Sequence, residues 1–227
     1  MSMMDMEDSK HATDEVAPII PEDPSLAQGH RALYDRQVMI EVRRGNDPKV
    51  GSSGGELKRF NVKVLLLGED DAPESIRIEL SSEEDLFFHY SSTTDSHSFD
   101  HLRTRQKLMI QFQSYAGVLI KTLNRCIAEP HKFMSVLHIG QQGKGRLNFV
   151  QNMEYKFVDL LSIRFQKSFD DFIHRQVNYR YKIMKEEVER MKCKLEGLTN
   201  TVRLRNPSLL LQTAKVQKLP FDSLILS

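Results

Sequence analysis

Apolar and polar residues alternate along most of the first two thirds of the chain, which is the pattern of strands that bury one face. Two such runs, residues 33–42 and 60–66, flank a stretch with five glycine and proline residues. They predict a β-hairpin with a long, flexible loop. A third run at residues 76–80, the aromatic segment 86–90 and residues 107–112 predict further strands of one antiparallel sheet.

The period of the pattern changes to three and four between Tyr115 and Ile127, which indicates an amphipathic helix laid against the sheet. Alternation returns at residues 133–139 and 147–150, on either side of a glycine-rich turn, and the last strand ends at Phe165. The predicted fold class is therefore α+β: a mainly antiparallel β-sandwich or barrel head with an inserted amphipathic helix, followed by a C-terminal helix.

The C-terminal helix is predicted from Ser168 to Gly197, a residue suited to a helix C-terminus. Its apolar side chains are spaced alternately by four and three residues, which is the heptad seam of a short coiled coil. The seam consists of Val177, Tyr181, Met184, Val188, Met191 and Leu195. The same stripe is also typical of an amphipathic helix that packs back on its own head.

These patterns divide the chain into four parts. Residues 1–30 carry little apolar periodicity and are expected to form a disordered arm. The globular head covers residues 31–167, and the helix or short coiled coil covers 168–197. Residues 198–227 are expected to form a flexible tail, either a docking peptide or a disordered segment.

Charge and cysteine content narrow the choice of partners. The 32 lysine and arginine residues nearly balance the 31 aspartate and glutamate residues. No net field therefore draws the chain to nucleic acid or to an acidic membrane, and protein partners are expected. Cys126 and Cys193 lie in helix-like contexts without neighbouring ligands, which favours a reducing compartment. Because no apolar run is long enough to span a bilayer, we expect a soluble, intracellular protein.

Candidate catalytic and metal-binding residues are few. His97 and His101 stand four residues apart, but no third ligand cluster accompanies them. The glycines around Lys144 do not have the spacing of a phosphate-binding loop and fit a hairpin turn. No activated-nucleophile motif is visible. We therefore predict no catalytic residue, no cofactor and no metal site.

Basic residues of the C-terminal helix alternate with tyrosines, which is a feature of some nucleic-acid-binding proteins. Glutamates dilute this basic surface, and a solvated coiled-coil surface explains it better. A nucleic-acid-associated scaffold remains the alternative interpretation, with Arg203 and Arg205 as further phosphate contacts.

Three blocks within residues 33–166 resemble the head domain of the spindle assembly abnormal protein six family. The first runs from Asp85 to Tyr90 and the second from Leu108 through the following helix, although Lys107 and Ala116 replace the family's usual glycine and proline. The third and most specific block comprises Leu147–Val150, Tyr155 with Lys156, and Leu161–Arg164.

The resemblance implies a β-barrel-like head with a helical insertion, shaped like the heads of DNA end-joining scaffolds and followed by a coiled coil. It also implies that heads pair through a hairpin whose tip aromatic enters an apolar pocket of another head. The matching residue is Tyr155, where the family more often has phenylalanine, with Met153 and Lys156 beside it. Without the resemblance, Tyr155 is as well explained as an ordinary turn or core aromatic.

The implied function is that of a structural scaffold of the centriole or basal body, in the cytoplasm and cytoskeleton. Its partners would be further copies of the chain and other basal body or cytoskeletal proteins. The heptads predicted here are short, so the chain most resembles the short six-like paralogue of the family. That resemblance implies a role in the flagellar basal plate or the apical complex.

Overall fold

The computed structural model describes residues 22–44 and 55–205. Within them the chain forms seven strands, three α-helices and two short 3-10 helices. The strands are β1 (Arg31–Arg44), β2 (Glu56–Gly68), β3 (Pro73–Ser81), β4 (His89–Asp95), β5 (Phe133–Ile139), β6 (Lys144–Met153) and β7 (Lys156–Lys167). The helices are α1 (Ser96–Gln106), α2 (Tyr115–Ala128) and α3 (Asp170–Arg205), and the 3-10 helices are Pro24–Gly29 and Phe112–Ser114.

The strands close into a barrel in the order β1-β2-β3-β4-β7-β6-β5. Neighbouring strands are antiparallel, except that β1 and β5 pair in parallel. Closure removes the exposed edges that would otherwise invite unspecific strand addition. The closed barrel with its helices confirms the predicted α+β class.

One apolar core joins the barrel and the inserted helix. Alternate strand residues such as Val62 and Val64 point into the barrel, as the sequence pattern predicted. Helix α2 adds Tyr115, Leu119 and Leu123 to the same cluster of buried residues. The helix is therefore part of the head and not an appendage.

The segment between β4 and α2 differs from the prediction. The strand predicted over residues 107–112 is wrong: this segment is irregular and leads into the 3-10 helix at Phe112. Its alternate apolar residues, Leu108 and Ile110 among them, pack half-buried against the core without a neighbouring strand. Helix α1 was not predicted, because only Phe99 of its side chains is fully buried. A capping box between Asp95 and Ser98 begins that helix.

Two predicted boundaries need correction, the end of the N-terminal arm and the end of the C-terminal helix. Residues 24–29 do not belong to a disordered arm, since they form a 3-10 helix whose Ser25 is fully buried. Helix α3 does not end at Gly197 but continues to Arg205. A glycine is tolerated there because apolar heptad positions continue beyond it, at Leu198 and Val202.

The predicted turns agree with the structure where it describes them. The β1–β2 hairpin is confirmed, while the loop expected to be flexible, residues 45–54, lies outside the described residues. The glycine-rich turn between β5 and β6 is confirmed, and Gly143 adopts a φ of 69° that favours glycine. The rest of the expected arm, residues 1–21, and the tail from residue 206 also lie outside the described residues.

Candidate functional site

The β6–β7 hairpin presents an aromatic side chain at its tip. Strand pairing continues to Met153 and Lys156, so that Glu154 and Tyr155 form a two-residue turn. The Tyr155 side chain is 84% exposed, which excludes the interpretation of this residue as a core aromatic. Met153 beside it is 39% exposed.

A second aromatic residue next to the tip was missed by the sequence analysis. Phe157, the second residue of β7, is 50% exposed. The sequence could have indicated Phe157 as a second aromatic residue of the tip, because it stands only two positions after Tyr155. In the strand register Met153 lies opposite Lys156 and Phe157 opposite Asn152, so the two apolar side chains flank Tyr155 on the two faces of the hairpin. We call these exposed apolar side chains of the hairpin end the tip surface: Met153, Tyr155 and Phe157.

The hairpin is held firmly against the head. The Asn152 backbone N–H donates a hydrogen bond to the Lys132 carbonyl oxygen at 2.8 Å. The Asn152 side-chain amide donates another to the His131 carbonyl oxygen at 3.3 Å. Because the tip surface is fixed before it meets a partner, little conformational entropy is lost on binding.

Helix α3 carries the predicted seam on an open face. Tyr181, Met184, Met191 and Leu195 are each more than half exposed, and Val188 is 46% exposed. Val177, at the base of the helix, is half-buried. The structure extends the stripe by two further heptad positions, Leu198 and Val202, which the sequence analysis missed because it ended the helix at Gly197.

A different face of α3 contacts the head. Ile173 and Gln176 are buried against it. The Arg180 guanidinium donates hydrogen bonds to the carbonyl oxygens of Ser82 at 3.0 Å and Leu86 at 2.7 Å. Past Arg180, no hydrogen bond among the described residues joins the helix to the head. The alternative in which the stripe packs on its own head is therefore not the arrangement seen.

A buried polar cluster, which we call the joint, connects the N-terminal 3-10 helix, the barrel and α3. The Ser25 hydroxyl donates a hydrogen bond to Glu79 Oε2 at 2.6 Å, and Gln176 Nε2 donates one to the Ser25 hydroxyl at 2.7 Å. His89 Nε2 lies 3.6 Å from the same Glu79 oxygen. Arg77 Nε lies 3.0 Å from the other one, at an angle that leaves the attraction electrostatic. The joint fixes the direction in which α3 leaves the head.

The charge of Glu79 depends on this cluster. Burial alone would raise the pKa of its carboxyl group, and it is the largest single influence. The interaction with His89, the hydrogen bond from Ser25 and the positive charge of Arg77 together outweigh burial, so the pKa lies below its ordinary value. Glu79 is therefore ionised in the folded head.

We expect the joint to weaken on acidification. A carboxyl group with a pKa depressed by folding contributes stability that is fully present above its unfolded pKa, about 4.3. That stability is lost as the pH falls through the folded pKa. Urea unfolding between neutral pH and pH 3 should show the loss, and Glu79→Gln should flatten the acid side of the profile. An unchanged acid slope in Glu79→Gln would show that Glu79 does not contribute to it.

The other candidate residues are not assembled into a site. His97 and His101 are exposed with their Nε2 atoms 3.3 Å apart, and no group of three metal ligands exists among the described residues. Cys126 is buried in the core. Burial raises the pKa of its thiol to about 11, although a hydrogen bond with Ser135 acts in the opposite direction. In the part of the chain that the structure describes, no helix is long and apolar enough to cross a membrane.

Three basic residues of α3 have partners within the chain. Arg180 is bound to the head, Arg190 pairs with Glu187, and Lys192 lies 2.9 Å from a carboxylate oxygen of Glu189. Such pairs between residues of one helix are typical of a solvated helix surface.

The barrel, the exposed hairpin tip and the protruding heptad helix define a head-and-stalk structural domain. The family model of the centriolar protein SAS N-terminal domain matches residues 32–165, which is more than half of the chain. The chain therefore belongs to the centriolar protein SAS N-terminal domain family.

Similar proteins agree with this assignment. The spindle assembly abnormal protein 6 homolog of Gallus gallus is 24% identical over 203 residues, and that of Danio rerio is 24% identical over 199 residues. Each match covers 82% of this chain but only 30% and 31% of the respective relative. The chain thus spans about a third of the length of these relatives.

Solved structures show the same fold. An N-terminal fragment of a Leishmania SAS-6 mutant, with parts of its coiled coil, matches with a TM-score of 0.63 and 14% identity, covering 80% of this chain and 99% of the fragment. An N-terminal fragment of a Drosophila melanogaster Sas-6 mutant, dimerised via its coiled-coil domain, matches with a TM-score of 0.58 and 15% identity. That match covers 87% of this chain and 98% of the fragment.

Proposed function

We propose that this chain is a self-associating structural protein of the centriole, the basal body or a related part of the microtubule cytoskeleton, and that it is not an enzyme. The observation that carries the proposal is the presence of two separate exposed apolar surfaces, the tip surface and the α3 seam, on one firmly built head and stalk. Family membership supports the centriolar setting. The family resemblance further suggests a basal plate or apical complex role.

The first link is pairing of heads through the tip surface. Burying one aromatic side chain of ~200 Å² contributes about 5 kcal/mol at about 25 cal/mol per Å², whereas association costs roughly 4–15 kcal/mol. Tyr155 alone therefore gives at best a weak contact. Met153 and Phe157 enlarge the buried area, and the hydrogen bonds of Asn152 keep the ordering cost low.

The second link is pairing of α3 helices along the seam. The stripe from Val177 to Val202 provides alternate apolar positions over nearly four heptads. Both core positions carry apolar or aromatic side chains throughout, which is what pairing of two helices along the seam requires. One position holds Tyr181, Val188, Leu195 and Val202, and the other holds Val177, Met184, Met191 and Leu198. A dimer would cover side chains that the described structure leaves exposed.

Together the two links propagate an assembly. Each is a contact between identical surfaces, and two different two-fold contacts on one chain join copies into a ring or a filament. Because the joint holds α3 at a fixed angle to the head, that angle would set the geometry of the assembly.

We expect Tyr155→Glu to abolish association beyond the dimer. The substitution would replace an aromatic side chain that contributes about 5 kcal/mol when buried with a charged one, and a two-fold contact contains that residue twice. Head pairing should therefore weaken by at least about a thousandfold. Light scattering after size-exclusion chromatography of the 227-residue chain, over a concentration series, measures the change.

Two variants control this experiment. Phe169→Glu introduces the same charge at an aromatic residue that is 89% exposed outside the hairpin, and it should leave the oligomers unchanged. Tyr155→Phe removes only the hydroxyl and should preserve pairing. Equal loss of oligomers in Tyr155→Glu and Phe169→Glu would refute a specific role for the tip surface.

A further inference from the structure

A row of basic side chains crosses four neighbouring strands of the barrel. Arg43 of β1 lies opposite His138 of β5, His138 lies opposite Arg146 of β6, and Arg146 lies opposite Arg164 of β7. Directly opposed residues project from the same face of a sheet, and adjacent strands are about 4.8 Å apart. Helix α1 adds Arg105, which lines a groove of about 340 Å³ together with Arg146 and Arg164.

Without a bound anion, this row of basic side chains destabilises the folded barrel. Like charges placed directly opposite each other destabilise a sheet. Arg43 is offset by Glu41, whose carboxylate lies 2.7 Å away. Arg105, Arg146 and Arg164 are exposed and form no ion pair with any residue that the structure describes. Three arginines therefore line one groove, and Asp159, the acidic residue that also lines it, forms no ion pair with any of them.

The centre of the row shows the effect of this positive charge. His138 Nε2 is buried and has no hydrogen-bond partner among the described residues. Burial, together with the charges of Arg43 and Arg146, lowers the pKa of His138, although Glu41 and Asp159 act in the opposite direction. An anion bound beside Arg146 would relieve both the repulsion and the unfavourable potential.

The groove floor is polar and fixed. The side-chain amide of Gln106 donates a hydrogen bond to the Ser162 carbonyl oxygen at 2.6 Å and accepts one from the Ser162 backbone N–H at 2.8 Å. The Ser162 hydroxyl donates to Asn148 Oδ1 at 2.8 Å. Strand β4 pairs with β7 only at Gln166 and Lys167, so α1 and not a strand borders β7 at the groove. These hydrogen bonds hold together α1, β7 and β6, the three elements that carry the arginines.

We propose that the groove bordered by Arg105, Arg146 and Arg164 binds an acidic segment of a partner protein in an extended conformation. Guanidinium groups bind carboxylates through two parallel hydrogen bonds. Carboxylates on one side of an extended chain recur at about 6.8 Å, which long arginine side chains on strands about 4.8 Å apart can reach. This binding would be additional to self-association, because the groove includes no residue of the tip surface or of the seam.

A peptide fits this groove better than a nucleic acid does. No aromatic side chain lines it to stack with bases. The chain as a whole carries a net charge of only +1. A long polyphosphate backbone that continued along the row would also meet the carboxylate of Glu41, which pairs with Arg43.

The test is fluorescence anisotropy with the 227-residue chain and a labelled peptide of alternating glutamate and serine. Arg146→Gln with Arg164→Gln should weaken binding about a hundredfold, since each lost charge-assisted pair accounts for about tenfold. The matched control, Arg59→Gln with Lys121→Gln, removes two exposed positive charges elsewhere and should preserve affinity. A peptide with glutamine in place of glutamate should not bind.

Thermal unfolding separates loss of binding from loss of fold. Removing the opposed Arg146–Arg164 pair relieves repulsion, so the melting temperature of that variant should stay equal or rise. The proposal is wrong if the acidic peptide does not bind or if both double variants lose affinity equally. It is also wrong if a single-stranded oligonucleotide binds more tightly than the peptide through the same arginines.

Discussion

Replacing Met184 and Met191 with glutamate is expected to convert the chain from an assembly joined through helices and heads to molecules that associate only through their heads. Both residues lie at core positions of the seam and are about 60% exposed in the single chain. In a two-stranded coiled coil each substitution occurs twice, so four charges would enter the interface.

The expected loss in the free energy of dimerisation is large because two effects add. Each methionine forfeits about 2 kcal/mol of apolar burial per helix, and each buried carboxylate lacks a partner. The four sites of the dimer together forfeit about 8 kcal/mol of apolar burial, and even half of that loss makes the dimer about a thousandfold weaker. Sedimentation equilibrium measures the dimer constant, and circular dichroism shows whether α3 stays helical.

Helix α3 itself offers the matched control. Cys193 and Asn200 are exposed and lie opposite the seam in the heptad pattern. Glutamate at both positions adds the same charge per helix without touching the seam. If this control weakens the dimer as much as the seam variant does, the effect is general charge repulsion and the seam assignment fails.

The second large effect is expected from Glu79→Ala in the joint. The side chain is nearly inaccessible and receives the Ser25 hydroxyl, with Arg77 and His89 beside it. Removing one member of a buried charged cluster leaves the others desolvated without a partner. We expect a loss of about 3 kcal/mol in the free energy of unfolding, measured by urea denaturation at neutral pH.

Two further variants give this prediction its controls. Glu74→Ala removes an exposed carboxylate of the same strand and should change stability by less than about 0.5 kcal/mol. Glu79→Gln keeps an acceptor for the Ser25 hydroxyl and should fall between the two. A Glu79→Ala protein as stable as Glu74→Ala would mean that the joint does not hold the head and the stalk together.

Strands and the inserted helix could be predicted because their signals are local. The alternation in β1, β2 and β5 and the three-four spacing in α2 each record one buried face. Residues 107–112 alternate in the same way, yet they form no strand. An extended segment lying on the core buries every second side chain too, and alternation cannot show whether a neighbouring strand exists.

The remaining features depend on contacts between distant parts of the chain. Ser25 and Glu79 are 54 residues apart, and Gln176 is 151 residues from Ser25. Nothing local marks these common polar residues as partners, so the joint and the docking of residues 24–29 were missed. Tyr155 was singled out by family resemblance; the structure adds its exposure, and its role in pairing stays a prediction.

The central claim, association through two independent surfaces, is tested most directly by sedimentation velocity over a concentration series. The samples are the unmodified chain, Tyr155→Glu, Met184→Glu with Met191→Glu, and all three substitutions together. The unmodified chain should form species larger than a dimer, and Tyr155→Glu should form a dimer. The variant with Met184→Glu and Met191→Glu should form a weak concentration-dependent dimer, and the variant with all three substitutions should be a monomer. A triple variant that still associates, or a Tyr155→Glu chain with the distribution of the unmodified one, would contradict the account.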